Sequence, residues 1–64
     1  MSEDYRVQYR ITAGGRWLDD AAFETAREAI TYALDSAEHV LYVQFRVRYD
    51  GSTLARIKPL RGLL

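Results

Sequence analysis

The chain has no cysteine, so neither a disulfide framework nor a thiolate metal site can form. Its lone histidine, His39, cannot supply a histidine cluster for a metal. Apolar residues never run for the ~20 positions that a membrane-spanning helix requires. The N-terminus, Met1-Ser2-Glu3-Asp4-Tyr5-Arg6, is acidic and lacks the basic-then-apolar order of a signal peptide, which makes the cytoplasm the expected compartment. Charge of one sign is also missing, because nine Lys and Arg offset nine Asp and Glu. Proline occurs once and glycine four times, too few for a linker or a low-complexity tract. What remains is 48% apolar and 28% charged, the balance of a globular domain rather than a disordered chain.

At 64 residues the expectation is one domain over residues 1–64. A chain this short buries only about 60% of the surface that its unfolded state exposes. Without a disulfide or metal, its core must pack well or be shared with a partner. Five Tyr, two Phe and one Trp supply large apolar area per residue.

Tyr5, Val7, Tyr9 and Ile11 alternate with Arg6, Gln8, Arg10 and Thr12, the period of a strand with one buried face. Ala13-Gly14-Gly15 then marks a hairpin turn. The second strand admits two registers. A three-residue loop sets Trp17 opposite Ile11 and Phe23 opposite Tyr5, burying both aromatics. A Gly-Gly loop sets Asp20 opposite Tyr9 and turns Trp17 outward. We prefer the first, with a bulge at Asp19-Asp20 as a further alternative.

Thr25-Ala26-Arg27-Glu28 fits a capping box. It opens a helix from about Thr25 to Ala37, with the stripe Ala26, Ala29, Ile30, Ala33, Leu34 and Ala37 facing the sheet. Alternation returns from Val40 to Tyr49. Leu41, Val43, Phe45, Val47 and Tyr49 share one face, and Tyr42, Gln44, Arg46 and Arg48 share the other. Asp50-Gly51 is a strong hairpin signal. A short strand from about Thr53 to Lys58 follows, with Leu54 in conflict with Ala55 and Ile57 over its face, and Pro59 ends it. Residues 60–64 form an apolar tail that either packs back or frays. The expected fold is α+β: a ββαββ chain with a four-stranded antiparallel sheet, order 2-1-3-4, and one helix on one face.

The neutral total hides a segregation. Arg6, Arg10, Arg46, Arg48, Arg56, Lys58 and Arg61 fall in strands or the tail, while Asp19, Asp20, Glu24, Glu28, Asp35 and Glu38 fall in or beside the helix. With the helix on one side, the open sheet face carries Arg6, Gln8, Arg10, Tyr42, Gln44, Arg46 and Arg48, the candidate binding residues. Such a dipole steers partners without net charge. Arg and Tyr anchor protein interfaces, and they also contact phosphates and stack on bases. Tyr42 is the lone aromatic that this pattern sets on the face, and no excess positive charge supports non-specific affinity. A protein partner therefore ranks above nucleic acid.

Catalysis requires converging groups, and the pattern supplies none. His39 sits at the end of the helix, where a C-terminal cation is expected. The serines have no Ser/His/Asp context, and Asp19, Asp20 and Glu24 read as turn or solvated acids. Gly14-Gly15 and Asp50-Gly51 lack the spacing of phosphate and calcium loops. No enzyme, metal or cofactor is expected.

The runs Tyr5-Arg6-Val7-Gln8-Tyr9-Arg10-Ile11, Gly15-Arg16-Trp17-Leu18-Asp19-Asp20 and Phe23-Glu24-Thr25 with Glu28-Ala29 resemble those of small accessory proteins encoded by phages and prophages. The resemblance spans most of the chain and implies a factor that binds and blocks a host protein or complex, as the anti-CRISPR inhibitors do. It carries no functional residue with it. Two other readings stand beside this one: a nucleic-acid-binding module using the same face, and a homodimer closed by an edge strand or by Leu60, Leu63 and Leu64.

Overall fold

The computed structural model describes residues 4–12, 14–40 and 43–58. Its elements are β1 (Tyr5–Arg10), β2 (Leu18–Phe23), α1 (Ala26–His39), β3 (Gln44–Tyr49) and β4 (Ser52–Ile57). They form a four-stranded sheet in the order β2-β1-β3-β4, with every neighbouring pair antiparallel. The ββαββ architecture and the strand order are those that the alternation predicts. The two strands with the strongest period-2 pattern, β1 and β3, are central.

The helix begins where local chemistry fixes it. The Thr25 hydroxyl oxygen accepts from the Glu28 amide at 3.2 Å, and the hydroxyl donates to the Glu28 carboxylate at 2.9 Å. This satisfies a free amide of the first turn. The helix runs on past Ala37 to His39, and the Val40 amide closes it on the Ser36 carbonyl at 2.8 Å. Ala29, Ala33 and Ala37 form the buried stripe. Leu34, expected in that stripe, is 51% exposed. Three small side chains let the helix axis approach the sheet, and the buried sector narrows to the side that meets the strands.

That contact forms the core. Val7 and Val47 lie side by side on β1 and β3 and are fully buried, with Phe45 next to them. Tyrosine rings close the periphery. Tyr5 stacks on Tyr49 with centroids 4.1 Å apart, Tyr9 tilts on Phe45 at 6.3 Å, and Phe23 tilts on Tyr32 of the helix at 5.2 Å. These pairs add to area burial by about 0.5–1.5 kcal/mol each.

Several strand boundaries differ from the alternation. β1 stops at Arg10, so Ile11 is exposed rather than core. β3 starts at Gln44; Val40 belongs to the helix cap and is exposed. β4 spans Ser52–Ile57, and its conflict of faces resolves as a bulge. Val47 pairs with Ala55 and Arg48 with Thr53, leaving Leu54 as the extra residue. Asp50 and Gly51 both take positive φ, 49° and 77°, as a two-residue hairpin turn demands. The apolar tail at 60–64 lies outside the described residues.

Candidate binding face

Antiparallel pairing puts residues opposite one another on the same face. Through β1 and β3 the face away from the helix therefore carries Arg6 opposite Arg48, Gln8 opposite Arg46, and Arg10 opposite Gln44. β4 adds Arg56 opposite Arg46 and Thr53 opposite Arg48. Six of the seven candidate residues thus meet on one surface; the seventh, Tyr42, lies outside the described residues.

The second strand brings the largest departure from expectation. Phe23 pairs with Tyr5 and Ala21 with Val7, as the three-residue loop requires. A bulge then follows: Gln8 pairs with Asp19 and Tyr9 with Leu18, so Asp20 is the extra residue. The slip exchanges faces for everything before it. Trp17, expected in the core opposite Ile11, instead lies among the arginines of the open face. The guanidinium carbon of Arg46 is 4.1 Å from its ring centroid and that of Arg10 is 4.7 Å away. Both are within cation–π range. Both alternatives to the preferred register, the Gly-Gly loop and the bulge at Asp19-Asp20, allow an outward Trp17; the pairing found is that of the bulge.

The bulge also separates the two aspartates. Asp19, expected on the acidic helix side, belongs to the open face, where it accepts from Gln8 at 2.8 Å and pairs with Arg6 at 3.5 Å. Asp20 turns the other way. The Asp20 carboxylate is the main cause that raises the Tyr32 phenol above its ordinary pKa, with burial second. Asp19 and Asp20 therefore do not converge.

The arginines are ordered mainly by neutral acceptors. Arg46 Nε donates to Gln8 Oε1 at 2.9 Å, and Arg10 Nε donates to Gln44 Oε1 at 2.8 Å. Arg48 donates to the Thr53 hydroxyl at 2.7 Å and to the Gly51 carbonyl at 2.8 Å. Glutamine and threonine orient a guanidinium without cancelling its charge. Arg6 differs in pairing with a carboxylate, that of Asp19. Desolvation lowers the Arg46 pKa, and the charges of Arg48, Arg56 and Arg10 lower it further. The face is electrically self-repelling at its centre.

His39 is placed as expected for a helix-terminal cation. Its Nδ1 lies 2.8 Å from the Asp35 carbonyl, and that bond, with the Asp35 carboxylate, raises its pKa. It meets no catalytic partner among the described residues. No family model, curated protein or solved structure matches the chain.

Proposed function

We propose that this chain is a non-enzymatic interaction protein that uses the open face of its sheet to capture a macromolecule presenting clustered negative charge. In the phage accessory setting that the sequence pattern implies, that target is a component of the host. The observation that carries the reading is the pair of cross-strand arginine contacts, Arg6 with Arg48 and Arg46 with Arg56. Like charges directly opposite in a sheet destabilise it. Arg46 is ordered by Gln8 and Arg48 by Thr53, neither of them a carboxylate, which keeps their charge available to a ligand.

Retention on immobilised heparin, used as a generic polyanion, tests the reading. A chain of zero net charge has no reason to be retained except through a local face. The native chain should elute well above the salt needed for the double variant Arg46→Glu/Arg48→Glu. That variant should keep its melting curve, because each new carboxylate sits opposite an arginine or a glutamine. Equal elution of the two proteins, with normal melting, removes the face from the function.

A further inference from the structure

Acidic proteins and nucleic acids both offer negative charge, but the open face contains one element that charge alone does not use. Trp17 is half-buried and lies against Arg10 and Arg46, at the level where β1 and β3 carry their ordered guanidiniums. A carboxylate-rich protein surface gains from the arginines and gains little from an indole ring. Unpaired bases do gain, because every base has a π-face that stacks on an aromatic side chain. Bases in a duplex keep their π-faces within the helix, so a stacking residue on a flat sheet reads single strands.

We propose that the open face binds single-stranded nucleic acid, with an unpaired base on the exposed surface of Trp17 and the neighbouring phosphates on Arg10, Arg46, Arg48 and Arg56. The inference rests on the polyanion reading above and names its ligand class. The spacing of parts supports it. Arg46 and Arg10 touch the ring, whereas Arg48 and Arg56 lie one step further along β3 and across on β4. A strand whose base rests on the indole therefore keeps its backbone over guanidiniums in the direction of β4. Gln8 and Gln44 hold Arg46 and Arg10 by their Nε edges. In each bond the donor is Nε and not a terminal nitrogen. Arginine also stacks in its own right, and the two guanidiniums over the Trp17 ring add positive charge beside the stacking surface.

Trp17 is the chain's single tryptophan, so its emission reports directly on this site. The test titrates the full chain with labelled oligo-dT and oligo-U of about twelve nucleotides, a duplex of equal length, and poly-glutamate as an acidic polypeptide. Anisotropy and tryptophan emission are read together at low and physiological salt. The expected result is tighter binding of the single strands than of either the duplex or poly-glutamate, with quenching of Trp17. Trp17→Ala should weaken the single strands by about tenfold to a hundredfold, the range for loss of one stacked base. Trp17→Phe should retain most of the affinity, and so separate stacking from a general loss of folding. A preference for oligo-U over oligo-dT identifies the ligand as RNA, the reverse as DNA, and either supports the proposal. Binding of the single strands no tighter than poly-glutamate, or without any change in Trp17 emission, overturns the proposal and leaves the polyanion reading standing. No binding to any probe at low salt overturns both.

Discussion

The two faces of the sheet are made by the same strands, alternate residue by alternate residue, and they obey opposite rules. On the helix side Val7, Val47 and Phe45 exclude water and are held by packing against Ala29, Ala33 and Ala37. On the other side Arg6, Arg10, Arg46, Arg48 and Arg56 crowd like charge together around a tryptophan. The first face lowers the free energy of the chain; the second retains repulsions that replacing one of the arginines by glutamate or threonine would relieve. In a domain this small, with so little stability in reserve, the arrangement of the second face is the feature on which the proposed binding role rests.

The sharpest way to break the contrast is to place the same charge on neighbouring residues of β3. Val47→Asp buries an unpaired carboxylate in the fully enclosed core. It should cost about 4 kcal/mol or more, against a total of roughly 3–5 kcal/mol for a core of this size. The variant should show no cooperative urea transition. Arg46→Asp, one residue away and facing outward, should unfold with a normal midpoint. A cooperative Val47→Asp transition near the native midpoint would mean that the helix does not cover this face.

A milder perturbation addresses the close helix approach. Ala33→Leu adds volume where the helix rests on the sheet, at a position with no exposed area. Overpacking of this kind costs about 1–3 kcal/mol, readable as a lowered urea midpoint with unchanged slope. Leu34→Ala, on the exposed side of the same turn, should cost much less.

The smallest effect belongs to the open face. Arg56→Gln removes one member of the Arg46–Arg56 pair. At low ionic strength it should leave stability unchanged or raise it by a few tenths of a kcal/mol, and the gain should vanish as salt screens the native pair. A loss of stability that persists in high salt would show that Arg56 contributes through its stem rather than its charge.

Most of this architecture was legible from alternation. Strict period-2 runs in β1 and β3, the Thr25–Glu28 box and Asp50-Gly51 specify the elements and their order, because each is a local signal with a local cause. The surface residues Arg6, Gln8, Arg10, Gln44, Arg46 and Arg48 follow from the same parity. What alternation could not place is an extra residue. Neither the three-residue nor the two-residue loop register describes β2: the first is right for Phe23 but not for Trp17, and the second has the outward face of Trp17 but not its pairing, since Leu18 rather than Asp20 lies opposite Tyr9. The bulge at Asp20 keeps the first register for residues 21–23 and turns Trp17 outward through a third pairing, Tyr9 with Leu18. Leu54 produces the same ambiguity in β4, and for the same reason. The alternation also overextended β1 to Ile11 and set Leu34 in the core, because hydrophobicity marks a candidate for burial while the width of the partner element decides whether burial occurs.

The bulge at Asp20 divides β2 into two parts that can change independently. Ala21 and Phe23 are tied to the core side through Val7 and Tyr5, so their side chains are constrained by packing. Trp17 and Asp19 answer to the open face, while Leu18 between them lies opposite Tyr9 and stays largely exposed, and the extra residue Asp20 absorbs the difference in phase. Substitutions at Trp17 or Asp19 can therefore retune what the surface holds without reaching the hydrophobic layer, which makes this hairpin a natural place for specificity to diversify while the scaffold stays fixed.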